Sequence, residues 1–204
     1  MALRLLSEST VLPVSISEIK SHLRISTATT VEDTLLTAYI QSAKAIGENL
    51  TKRAFVPQTY QYVLDGFPNE GLELPVAPLS TKTTDVTIYY IDEAGSTVTL
   101  ASTMYVVDSY SEPGFVTPSY DNIWPDTRDQ INSVSIQYVT GYVLTTAVGL
   151  PDVPTTPEPI KAWIKMRVGQ MYEYREPMIS GALIADLKRD FVDGLLDPYR
   201  LPTA

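Results

Sequence analysis

The chain has 204 residues, 44% hydrophobic and 19% charged, which is enough apolar matter to bury a core and excludes wholesale disorder. With no cysteine and a single histidine, it has no disulfide, thiolate nucleophile, cysteine-bound metal or multi-histidine centre within one chain. A net charge of −9 argues against general binding to phosphate backbones.

That charge is unevenly placed. Residues 58–142 carry only Lys82 and Arg128 against eleven acids, so this segment holds the whole imbalance. Residues 1–57 are close to neutral, and residues 157–204 balance seven of each sign. No apolar run approaches the roughly 18 to 20 residues that span a bilayer. The opening Met1-Ala-Leu-Arg-Leu-Leu-Ser-Glu reaches polar residues too early for a signal-peptide core. A soluble product made in the cytoplasm, with no membrane partner, is expected.

In chain order, Ser15-Ile-Ser-Glu18 reads as a capping box, with Val14 and Ile19 placed for a hydrophobic staple across it. The helix it opens carries Ile16, Ile19 and Leu23 on one stripe. A second helix is predicted from near Thr30, with Glu32 and Asp33 in its first turn, where negative charge suits the dipole. Leu36, Tyr39, Ile40, Ala43, Ile46 and Leu50 recur along it at helical spacing.

From Gln58 the period changes to two. Tyr60, Tyr62 and Leu64 form one alternating run, and Val86, Ile88 and Tyr90 another. Asp92-Glu-Ala-Gly95 is a turn leading to a return strand at 97–100, and 104–107 and 134–139 are further strands. The Pro- and Gly-bearing pieces at 112–114, 117–118 and 124–126 read as loops. A mostly antiparallel sheet of five to seven strands is predicted. Pro151, Pro154, Pro157 and Pro159 then make a stiff, extended connector. Helical spacing resumes at Ile160 with Trp163, Ile164, Val168 and Met171 on one face, and a shorter helix with Leu187, Phe191 and Leu195 follows a break at 177–181. The end, Leu195-Leu-Asp-Pro-Tyr-Arg-Leu-Pro202, is too proline-rich for a helix, and an apolar-basic tail of this kind is expected to dock.

Little here carries chemistry. His22, the one histidine, lies off the apolar stripe and reads as a solvated surface residue. Asp121, Asp126 and Asp129 cluster in one loop, but their spacing matches no cation-binding loop. There is no Gly-rich phosphate loop. No catalytic, cofactor-binding or metal-binding residue is assigned. A carboxylate-dependent hydrolase is the weakest reading, since eleven acids in one segment produce carboxylate pairs by composition alone.

The order of the segments is more informative than any one of them. "EIKSHLRI", "IQSAKAIGENLTKRAFVPQTY", "LELPVAPLSTKTTDVTIYYIDEAGSTVTL", "VSIQYVTGY", "PEPIKAWIKMRVGQMYEYRE" and the closing "LLDPYRLP" follow one another from about Leu12 to Pro202. This sequence of motifs resembles the head–tail connector (adaptor) proteins of long-tailed bacteriophages and their prophage and gene-transfer-agent relatives. The stretch 178–184 is longer and more apolar than the resemblance leads one to expect.

The resemblance implies an α+β fold, with a helical connector domain of about four helices and a mostly antiparallel β-rich domain inserted between the second and third. The boundaries expected are 1–57 for the N-terminal helical part, 58–142 for the acidic β-rich domain, 143–159 for the linker, and 160–204 for the C-terminal helices and tail, packing with 1–57. It also implies a ring, dodecameric in the virion neck, that sits under the portal protein and supports the next neck or stopper protein. DNA then passes through the channel without specific binding, in keeping with the acidic module. It implies no catalytic residues and no cofactor.

Two sets of contact residues are expected. Leu36, Ile40, Ala43, Trp163 and Ile164 are expected on helix faces between subunits, because the apolar helix faces exceed what one small helical domain needs. Leu196, Tyr199, Arg200 and Leu201 are expected to dock the tail on a neighbouring subunit or the portal, as against folding back over the last helix. The alternative to a ring subunit is a monomeric tail-completion or other binding module.

Overall fold

A computed structural model of the chain describes residues 1–80, 82, 85–144, 153–174 and 192–201. The predicted break at 177–181, the apolar stretch at 178–184, and Leu187 and Phe191 of the last predicted helix lie outside the described residues.

The first element is one the sequence reading does not contain. Residues 1–57 open with a strand, β1 (Ala2–Glu8), before the helices α1 (Ile16–Leu23) and α2 (Asp33–Thr51). The α1 cap forms as expected: Ser15 Oγ accepts from Glu18 N, and the Glu18 carboxylate accepts from Ser15 N at 2.9 Å. The Glu18 carboxyl is held below its ordinary pKa, chiefly by that backbone hydrogen bond from Ser15. Chain reversal after α1 and after α2 uses a left-handed residue, Arg24 and Lys52 respectively.

The strands that follow are β2 (Gln58–Leu64), β3 (Leu72–Glu73), β4 (Val86–Ile91), β5 (Thr97–Thr99), β6 (Tyr105–Asp108), β7 (Phe115–Pro118), β8 (Val134–Thr140), β9 (Val143–Leu144) and β10 (Val153–Pro154). Helix α3 (Glu158–Glu173) comes next, and Asp197–Tyr199 forms a 3-10 turn. Among the described residues, all strand pairs are antiparallel, in a five-stranded sheet ordered β1-β2-β8-β4-β5, a three-stranded sheet β3-β7-β6 and a β9–β10 pair. The described part is therefore α+β, with β2 to β10 lying between α2 and α3 in the chain.

Among the described residues two separate cores result. Alternation puts Val86 and Ile88 of β4, and Val134, Ile136 and Tyr138 of β8, on one buried face with Leu64, Leu74 and Val116. Helical spacing puts Leu36, Ile40 and Ala43 of α2 against Ile160, Trp163, Ile164 and Val168 of α3, closed by Val14, Ile19, Phe55 and Leu196. The extended connector carries a short strand, β10, that turns back on β9.

Candidate assembly surface

The five apolar positions expected between subunits lie elsewhere. Leu36, Ile40, Ala43, Trp163 and Ile164 are all fully buried in the helical core of their own subunit. The physical reason is that α3 packs along α2, so the two stripes satisfy each other. Gly47 makes the approach possible, because a Cβ there would stand 2.6 Å from the Phe55 ring and 3.0 Å from the Trp163 ring.

The tail is also seated on its own subunit. Leu196 is completely buried in the helical core, and Leu201 N donates to Thr51 O at 3.1 Å, at the end of α2. The Tyr199 ring meets Tyr142 edge-on at 6.4 Å. Arg200 is exposed and pairs with Asp197 at 3.2 Å. Arg53 clamps this turn: its Nε donates to Tyr199 O at 2.5 Å, and its terminal nitrogen donates to Glu112 Oε2 at 2.6 Å. The Glu112 carboxyl is lowered by that hydrogen bond from Arg53, so one buried guanidinium joins the tail, the end of α2 and the β6–β7 turn.

What the subunit leaves uncovered is different. All seven residues of β1 are exposed, among them Leu3 at 43% and Leu5 at 43%. β1 pairs with β2 on one side, and among the described residues no strand pairs with its other edge. Leu3, Leu5, Ala45, Lys52 and Tyr60 line an open cleft of about 360 Å³ between β1 and α2.

β1 is nevertheless tethered. Glu8, at its end, accepts from Lys44 Nζ, and Lys44 also lies 4.0 Å from Glu48. Glu48 accepts from Phe55 N at 2.7 Å and from Gln58 Nε2 at 2.8 Å. Burial raises the Glu48 carboxyl above its ordinary pKa, against the opposing pull of Lys44. The Tyr60 hydroxyl is pushed up to about 12, first by burial and then by Glu48 and Glu8. Sequence reasoning missed this strand because the period-two signal needs one buried face, and β1 has none.

The β-rich part presents further apolar side chains at loop tips, with Tyr110, Tyr120, Ile123 and Ile131 all exposed. The loop acids Asp121, Asp126 and Asp129 do not converge, and among the described residues no group of three or more His, Cys, Asp or Glu is placed to hold a metal ion. His22 is exposed at the end of α1. No helix among the described residues is long and apolar enough to cross a membrane.

Several solved structures share this fold over its full length. A chain from the neck of an empty gene transfer agent particle, computed with C6 symmetry, matches at a TM-score of 0.75 and 20% identity, covering 100% of this chain and 97% of that one. A chain from the virion of a native gene transfer agent particle matches at 0.74 and 19% identity, with the same coverage. A chain from the neck of a native particle, computed with C12 symmetry, matches at 0.68 and 20% identity, again with the same coverage. No curated protein matches the chain. The family described as "Phage gp6-like head-tail connector protein" matches residues 13–133, more than half of the sequence, and the chain belongs to that family.

Proposed function

We propose that this protein is a structural subunit of a virion neck, repeated twelve times in a ring between the portal protein and the next neck or stopper protein. The observation that carries the reading is the connector-family match combined with a full-length fold likeness to neck chains. The C12 symmetry of one such neck supports a ring, and a ring subunit must offer two different surfaces, one to each neighbour. On this reading the subunit has no enzymatic role: its work is to hold neighbours in register and extend the DNA channel.

The charge supports a passive conduit. The −9 of the β-rich segment repels duplex phosphate, so DNA slides past without specific contacts. The exposed loop tips at Tyr110, Tyr120 and Ile123 are where a neck or portal surface would meet the subunit. The test is to delete the gene. Particles should then accumulate as DNA-filled heads and free tails that join when the purified protein is added back. Infectious particles lacking the protein would overturn the reading.

A further inference from the structure

β1 is an exception to the way proteins treat sheet edges. A long, leucine-bearing edge strand is normally shortened, charged or covered, because its free N–H and C=O groups will pair with any strand that reaches them. Here the strand runs seven residues, Ala2–Glu8, with every side chain exposed and Arg4 its one cation. A bulge between Leu5 and Ser7 is its only interruption. It is held in place from below, through Lys44 and Glu8, while its outer edge and the cleft along Leu3 and Leu5 stay open.

Resting on the ring reading above, we propose that β1 is the surface through which one copy receives the next, by strand pairing with β5 of the neighbouring copy. Three observations select a second copy and that edge. Among the described residues, β1 and β5 are the two free edges of one sheet and stand at its opposite ends, so joining them continues the sheet from copy to copy. Pairing β1 with another β1 would instead make a closed two-fold dimer, which cannot propagate around a ring. Charge agrees as well: β1 brings Arg4, its Glu8 being already paired with Lys44, whereas β5 follows a hairpin tip that exposes Glu93.

The absence of native cysteine makes the test clean. Leu3→Cys, Thr97→Cys and the double variant are assembled into rings, alone at high concentration or on the cognate portal, and treated with a short bismaleimide. The double variant should give a ladder from dimer upward, and each single variant should stay monomeric on a denaturing gel. A separate variant, Leu3→Lys with Leu5→Lys, should keep the parent's melting temperature, since both side chains are exposed, while raising the concentration needed for assembly at least tenfold. Rings that form without a ladder, or dimers from Leu3→Cys alone, overturn the inference and leave the ring reading intact. Failure to form rings even on the portal overturns both.

Discussion

Arg53 and Glu112 form an ion pair at 2.6 Å across the junction between the end of α2 and the β6–β7 turn, and the same guanidinium holds the carbonyl of Tyr199. One buried cation thus ties together three segments far apart in sequence. Arg53→Ala should cost about 2–3 kcal/mol, since hydrogen bonds to a charged group are worth about 1.5–3 kcal/mol. Glu112→Gln should cost less, because the Glu112 side chain is 41% exposed and water replaces part of the lost contact. Urea unfolding of the two variants checks the order.

The same pair sets one arm of a pH response. Glu112 has its pKa lowered by the Arg53 hydrogen bond, so its contribution is present above the ordinary carboxylate pKa and is lost as pH falls through the folded value. Glu48 works the other way. Its pKa is raised by burial, so its contribution is present below the ordinary value and is lost as pH rises through the raised one. Relative to the parent, Glu112→Gln should flatten the loss of stability on acidification, and Glu48→Gln should remove a loss on going from acid to neutral pH. Melting curves from pH 3 to 7 read both, and opposite signs would refute the assignment.

Among the described residues, the tail packs on its own chain through Leu196, Tyr199 and Leu201. Leu196→Ala should destabilise by about 3 kcal/mol, within the range for deleting a buried leucine side chain. Truncation after Leu195 should cost more, because it also removes the Tyr199 and Leu201 contacts. A truncated protein with an unchanged melting temperature would show that the tail's main attachment is to another molecule.

Gly47 sits in the middle of a helix, where alanine would ordinarily gain about 1 kcal/mol from propensity. Its Cβ would stand 2.6 Å from Phe55, however, and crowding a packed core costs about 1–3 kcal/mol. Gly47→Ala should therefore lower the melting temperature. A rise would mean that α2 and α3 have room to separate.

The parts legible in sequence were those where one physical signal dominates. Ser15 and Glu18 announce a cap by chemistry alone, and Val86, Ile88, Val134 and Ile136 announce strands because one face is buried. The short strand β7 hides among prolines and glycines that read as a loop. The helical stripes at Leu36–Ile40 and Trp163–Ile164 were legible as apolar, but periodicity cannot say whether the surface that covers them lies in the same chain or the next. Here it lies in the same chain, and the open surface is the strand with no buried face at all.

The central claim is that the chain assembles as a neck ring on a portal, and cryo-electron microscopy of the purified protein mixed with its cognate portal tests it most directly. The account predicts twelve copies in a closed ring coaxial with the portal, with DNA failing to compete at physiological salt. A portal left bare beside monomeric protein, or tight salt-sensitive binding of the isolated chain to duplex DNA, would contradict it.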